Sequence, residues 1–270
     1  MVAHKLDALG TAIARYDSAL VAFSGGVDST LVLKVAYDML RDHVVAVTAV
    51  SASLSERERK ATLDLAASIG ATHLSVDSNE LNDPNYAANP TNRCYFCKSE
   101  LYDICAKVAR ERGLAVTLDG LITDDLDDDR PGRKAAAEHR VVSPLLDAGF
   151  TKDDVRAAAR ALGLPNWDKP ATPCLSSRVP HGRAITLALL REIELCEEFL
   201  RDRGFGVVRV RHLGDTARLE LGTSDLARFD SETRTAFERH ATSLGFAKII
   251  VDENGYQRGG ADLSLPVIAN

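Results

Sequence analysis

Six residues, Ser24-Gly25-Gly26-Val27-Asp28-Ser29, constrain this chain more than any other stretch. An apolar run, Ala19-Leu20-Val21-Ala22-Phe23, leads into them, and residues 30–36 read as the opening turns of a buried helix. A strand, a turn with two glycines and a helix start make an anion cradle. Glycine lets the backbone approach a phosphate closely, and the helix start offers free N–H groups and the positive end of its dipole. Ser24 and Ser29 add hydroxyl donors. Asp28 is discordant: a carboxylate beside phosphate is repulsive unless a cation intervenes, so it reads as a Mg²⁺ contact. A Walker-type loop is excluded, because no Gly-Lys-Ser/Thr follows.

The rest of the chain builds a sheet around that turn. The β-branched run over 43–50 suits a central parallel strand covered on both faces. Its carboxyl end, Ala49-Val50-Ser51-Ala52, is expected beside the loop, where Ser51 and its neighbours would edge an adenine pocket. Ser55 with Glu58 predicts a capped helix that Gly70 stops. Further strands at 73–76, 114–118 and 141–142 alternate with helices at 97–112 and 151–162, the last opened by Thr151 and stopped by Gly163 and Pro165. Residues 79–92 read as a polar loop. The alternation predicts an α/β fold with a doubly wound parallel sheet. From Pro165 to Gly182 the periodicity stops. Beyond it, a helix at 187–203, alternating strands at 206–212 and 216–221, a helix near 231–244 and a strand at 248–251 predict a smaller α+β domain. The expected division is 1–183 and 184–270. The strand pair is expected to keep one face in solvent, with Arg209 and Arg211 together on one side, suited to a phosphate or carboxylate. Glu197 and Glu198 read as solvated or, alternatively, as substrate contacts.

Composition narrows the function. With 270 residues, 45% hydrophobic and 27% charged, the chain is that of an ordinary globular protein. No apolar run reaches the length of a membrane span, and the first residues lack the apolar core of a signal peptide, so a cytoplasmic location is expected. A net charge of −6 argues against a nucleic-acid partner. Five cysteines, an odd number in such a chain, point away from a disulfide framework.

Cys94 and Cys97 form Cys-x-x-Cys at a helix start, flanked by Arg93 and Lys98, a setting that lowers thiol pKa. Such a pair is half a zinc site, a redox pair, or two ligands of an iron–sulfur cluster. Cys174, in Pro173-Cys174-Leu175-Ser176-Ser177-Arg178, lies where no packing pattern places it, and Arg178 would stabilise a thiolate or receive an anion. Were Cys174 to approach the pair, three thiolates would suffice for a 4Fe–4S cluster with one open iron. Cys105 and Cys196 lie on apolar helix faces and read as core. In the acidic stretch, Asp124 and Asp125 are candidates for Mg²⁺, and Arg133 and Lys134 for phosphate.

The motif Ser-Gly-Gly-x-Asp-Ser resembles the signature of the PP-loop ATP pyrophosphatases. Together with Asn92-Arg93-Cys94-Tyr95-Phe96-Cys97-Lys98, Asp119-Gly120, Asp124-Asp125, Arg130-Pro131-Gly132, Ser143-Pro144-Leu145 and Pro173-Cys174-Leu175-Ser176-Ser177-Arg178, the whole chain resembles the ATP-dependent sacrificial sulfur transferases of the LarE type. The resemblance implies a PP-loop domain followed by a small domain for substrate binding and oligomerisation. It implies Mg²⁺-ATP on Ser24, Gly25, Gly26, Asp28, Ser29, Ser51 and Gly120. The implied substrate is pyridinium-3,5-biscarboxylic acid mononucleotide, converted to its bis-thiocarboxylate on the way to the nickel-pincer nucleotide. Cys174 is the implied catalytic sulfur. With Cys94 and Cys97 it matches members that carry a 4Fe–4S cluster bearing a transferable sulfide. Arg209 and Arg211 are implied contacts of the substrate phosphate, and Arg178 a further anion contact. Implied partners are the enzymes of nickel-pincer assembly, a sulfide or cysteine-desulfurase donor, and further copies of the chain in a homo-oligomer, a hexamer. One departure is the apolar pair Leu121-Ile122 after Gly120, where the family carries small polar residues.

Three other readings compete. A tRNA thiolase shares the loop, but the acidic balance and the small second domain oppose it. An amide-forming synthetase would not need the cysteines. A nucleotide-binding module with zinc at Cys94 and Cys97 would not be an enzyme.

Overall fold

The computed structural model describes residues 2–126 and 131–256. In chain order the elements are α1 (Val2–Ile13), β1 (Ala19–Ala22), α2 (Val27–Leu40), β2 (Val44–Val50), α3 (Glu56–Ile69), β3 (Thr72–Asp77), α4 (Pro84–Ala87), α5 (Arg93–Arg112), β4 (Val116–Leu118) and α6 (Pro131–Glu138). They continue with α7 (Pro144–Asp147), α8 (Lys152–Ala161), α9 (Leu187–Arg201), β5 (Val208–Leu213), β6 (Thr216–Leu221), α10 (Thr223–Ala227), α11 (Ser231–Ser243) and β7 (Lys248–Val251). Two compact units emerge. One takes the residues up to Glu80 and Asn92–Thr172, the other Leu81–Thr91 and the chain from Pro173 on. The sequence boundary at 183/184 therefore meets a structural division between Thr172 and Pro173, which leaves Cys174 in the second unit.

The first unit is built on a parallel sheet in the order β3-β2-β1-β4, and Val142 extends it by bridging to Leu118. All four β1 residues are buried, as expected of a strand with helices on both faces. One face packs Val21 against Leu9, Leu31 and Val155; the other packs Leu20 and Val45 against Tyr102, Cys105 and Ala135. Ser55 accepts from the Glu58 N–H and Gly70 closes α3 in the left-handed conformation, as the sequence predicts. Thr151 and Asp154 form a reciprocal capping box that opens α8. The carboxyl ends of β1, β2 and β4 share one edge, the site-bearing edge of such a sheet.

The second unit holds a three-stranded sheet in the order β5-β6-β7, antiparallel between β5 and β6 and parallel between β6 and β7. Leu200, Val210, Leu219, Phe237 and Phe246 are in its core. Two expectations are corrected here. Residues 81–91 are not a mere polar loop: they carry α4, and Tyr86 is buried. Strand β5 has no solvent face, because every residue from Val208 to His212 is buried. Alternation of charge along a strand signals exposure only when the charges have no partners to bury with. Cys105 and Cys196 are buried as predicted, and burial pushes both thiols up to about 12.

Candidate active site

The loop after β1 is held by its own small side chains and by close backbone approaches. Gly25 has φ +69°, and a Cβ there would lie 2.7 Å from Thr62 Cγ2, so two independent constraints demand glycine. Gly26 caps α2, and its carbonyl accepts from Thr30 Oγ1 at 2.8 Å and Ser29 Oγ at 3.1 Å. The hydroxyls of Ser24 and Ser29 lie 3.2 Å apart, with Ser24 exposed and Ser29 buried. Gly120, after β4, backs the loop, since a Cβ there would stand 2.8 Å from the Ser29 nitrogen. Asn166, outside every sequence motif, donates through Nδ2 to the Gly25 carbonyl at 3.2 Å and to Thr30 Oγ1 at 2.9 Å. Its position in the irregular stretch after α8 gave no periodic signal.

Asp28 lies in the first turn of α2, and both its oxygens accept from Lys152 Nζ, at 2.8 and 2.6 Å. The sequence reading of Asp28 did not anticipate this partner, because Lys152 is visible only as the first residue of a capped helix. Asp124, a candidate Mg²⁺ carboxylate, accepts from the Lys152 N–H instead, and Asp125 accepts from the Ile122 N–H. Arg133 donates to the Leu126 carbonyl, and Lys134 lies near Glu138. At the end of β2, Ser51 Oγ donates to Glu80 Oε1 at 2.6 Å, and Ser53 Oγ does so at 2.5 Å. Lys169 reaches Glu58 at 2.6 Å. Ile122 is in the core, and the half-buried Leu121 donates its N–H to Asp119 Oδ1 at 3.2 Å. Arg130 lies outside the described residues.

Cys94 is exposed and Cys97 half-buried in the first turn and a half of α5. Cys174, half-buried, starts a 3-10 turn over Leu175–Arg178 in the second unit. Its carbonyl accepts from the Ser177 N–H at 3.0 Å and from Arg178 Nη1 at 2.9 Å. The 81–91 segment braces this turn: Tyr86 Oη and Ser176 Oγ are 2.6 Å apart, and Asn89 Nδ2 donates to the Pro180 carbonyl at 2.8 Å.

Arg178 does not present itself to solvent or to an incoming anion. It is 1% exposed. Its Nε and Nη2 donate to Glu197, while Nη1 also donates to the Pro173 carbonyl. Glu197 is fully buried, correcting its solvated reading. It also accepts from Arg201 at 2.7 Å and from the Val210 N–H at 3.0 Å. Burial alone would raise its pKa; the charge and hydrogen bonds of Arg178, with Arg201, hold it below the usual carboxylate range. Arg211 pairs with Glu220 and donates to the Ser177 carbonyl at 2.8 Å. Arg209 donates to the Val208 carbonyl and lies over the Tyr256 ring; burial and the nearby Arg178 charge hold its pKa below normal. Arg178, Arg209 and Arg211 therefore stand in a buried lattice with Glu197 and Glu220, which fixes the Cys174 turn.

No family model matches the chain. Full-length relatives do. An uncharacterised protein of Synechocystis is 45% identical over 96% of this chain and 97% of its own. The pyridinium-3,5-bisthiocarboxylic acid mononucleotide synthase of Lactiplantibacillus plantarum is 38% identical over 96% of this chain and 94% of its own. The chain belongs to this synthase family. An uncharacterised protein of Methanocaldococcus jannaschii is 28% identical over 88% of the chain and 90% of its own.

Membership of the synthase family implies two groups that these residues would hold, Mg²⁺ and an iron–sulfur cluster. Mg²⁺ takes one or two carboxylates beside substrate phosphates and water, and Asp28, a carboxylate in the first turn of a helix, is a donor of that type. For a 4Fe–4S cluster, Cys94, Cys97 and Cys174 have the right donor chemistry and carry thiols rather than disulfides. Among the described residues, no three His, Cys, Asp or Glu side chains gather as a metal site. No described helix is long and apolar enough to cross a membrane.

Proposed function

We propose that this chain is an ATP-dependent sulfur transferase that converts pyridinium-3,5-biscarboxylic acid mononucleotide to the bis-thiocarboxylate. The observation that carries the reading is the Ser24–Ser29 loop, whose glycine geometry and hydroxyls stand at the carboxyl edge of a parallel sheet in a chain of the synthase family.

A carboxylate is a poor electrophile, so the first unit activates it. The loop N–H groups, Ser24 and Ser29 orient the ATP phosphates and stabilise charge on the departing pyrophosphate as the substrate carboxylate bonds to the α phosphorus. Ser51 and the backbone beside it edge the adenine, and Gly120 keeps the loop in place. Asp28 would hold Mg²⁺, which would supply further charge neutralisation on the polyphosphate. In the second unit, Cys174 supplies sulfur: its thiolate attacks the adenylated carbonyl and AMP leaves with one carboxylate oxygen. When Cys174 itself is the donor, cleavage of its Cβ–S bond with loss of the α proton leaves dehydroalanine and the thiocarboxylate. A 4Fe–4S cluster on Cys94, Cys97 and Cys174 would supply a renewable sulfide in place of that sacrifice. Arg178, Arg209 and Arg211, buried with Glu197 and Glu220, hold the cysteine turn. The active form is a soluble cytoplasmic homo-oligomer, a hexamer, that works with the enzymes of nickel-pincer assembly and draws on sulfide or a cysteine desulfurase.

The test is anaerobic purification with iron and sulfide analysis, followed by incubation with Mg²⁺-ATP and the biscarboxylate. Pyrophosphate release coupled to thiocarboxylate formation is expected. Iron and sulfide in the protein favour the cluster route. An iron-free protein whose Cys174 becomes dehydroalanine favours sacrifice. Pyrophosphate release that requires tRNA or ammonia instead would overturn the reading.

A further inference from the structure

The least expected contact at the nucleotide loop is the bidentate pairing of Lys152 with Asp28. Both side chains are about three-quarters buried, at 24% and 25% exposure, and both belong to the first unit. Lys152 is aimed with care. Its N–H is tied to both oxygens of Asp124, and the Thr151–Asp154 capping box fixes the helix start it occupies. Lys5 in turn anchors Asp154 and the Gly149 carbonyl. Asp28 is equally fixed, in the first turn of α2, with Gly120 packed against its backbone. Three acidic or basic anchors thus hold one ammonium group against the single carboxylate of the phosphate loop.

From this we infer that Lys152 is the built-in counter-cation of the phosphate loop: it neutralises Asp28 when no divalent ion is present and yields that carboxylate when Mg²⁺ arrives. An ammonium and a hydrated divalent ion cannot both occupy the same face of one carboxylate. A loop whose carboxylate were left bare would repel a polyphosphate, and the repulsion is strong at the reduced effective dielectric of a partly buried site. With Lys152 in place, metal-free nucleotide still meets a neutral loop. The inference rests on the reading that Mg²⁺-ATP binds at this loop. Lys152 is a positioning and charge-balancing residue, so its signature is the metal dependence of binding rather than turnover.

The probe is α,β-methylene-ATP, whose α–β bridge resists hydrolysis, titrated calorimetrically into the full chain with excess Mg²⁺ and again with EDTA. Lys152→Gln is expected to weaken metal-free binding by about tenfold or more, while binding with Mg²⁺ is unchanged within about threefold or tightened. Lys152→Arg should keep most of the metal-free affinity. The double variant Asp28→Asn/Lys152→Gln removes both charges, and its metal-free affinity should return to within about threefold of the wild type. Equal weakening of both forms by Lys152→Gln, or no recovery in the double variant, would show that Lys152 only supports the fold or grips phosphate directly, and would overturn the inference. A wild-type chain that binds nucleotide under neither condition would instead refute the loop reading, and the inference with it.

Discussion

The phosphate loop and the arginine lattice both handle charge, in opposite ways. The loop of the first unit uses backbone groups, two hydroxyls and one carboxylate, and it keeps Ser24 exposed. The lattice of the second unit buries whole guanidinium groups: Arg178, Arg209 and Arg211 are all under a tenth exposed, with Glu197 and Glu220 among them. Nothing is lost in stability when the loop waits empty, because water solvates what the ligand will later touch. The lattice has no such slack. A buried ion is tolerable only while its partners are in place. The loop is therefore expected to answer to mutation mainly in binding, and the lattice mainly in folding.

The sharpest break in that contrast is at Glu197. Glu197→Ala leaves Arg178 and Arg201 buried without their shared carboxylate and should cost about 3–5 kcal/mol of unfolding free energy by urea titration. An unchanged midpoint would mean that the lattice does not stabilise the second unit. Ser24→Ala provides the matching test of the loop: stability within about 0.5 kcal/mol of wild type, with weaker nucleotide binding. Gly25→Ala comes next. The positive φ and the 2.7 Å approach to Thr62 should lower nucleotide affinity about tenfold or more. Gly26→Ala, at φ −73° with its closest approach 3.4 Å from Ser24 Oγ, should be milder.

The smallest effect concerns pH. The Lys5 and Thr151 hydrogen bonds lower the Asp154 pKa from 3.8 to about 2. A depressed carboxyl stabilises the fold above its unfolded value and loses that contribution as pH falls through its folded value. Asp154→Asn should therefore cost under about 1 kcal/mol at pH 6, and the gap to wild type should narrow progressively from about pH 4 downward. A gap that widened in acid would contradict the assignment.

The same contrast explains what was legible in the sequence. The loop, its strand, the capping of α3 and α8 and the core positions of Cys105 and Cys196 rest on local rules: turn glycines, cap residues and periodicity. The lattice rests on pairings between residues far apart in the chain, such as Arg178 with Glu197 and Arg211 with Ser177. Period-two charge along β5 reads as exposure for that reason. The 81–91 segment was opaque too, because its buried Tyr86 and Asn89 serve a turn about ninety residues later. Lys152 illustrates the remaining gap. Its place at a helix start was readable, but its salt bridge to Asp28 spans 124 residues.

The central claim is that activation and sulfur transfer are separable, the first belonging to the phosphate loop and the second to Cys174. Product analysis by mass spectrometry with a Cys174→Ala variant, Mg²⁺-ATP and the biscarboxylate nucleotide tests it most directly. The account predicts that pyrophosphate and the adenylated carboxylate are still formed while no thiocarboxylate appears. Thiocarboxylate formed at the wild-type rate by that variant would contradict it.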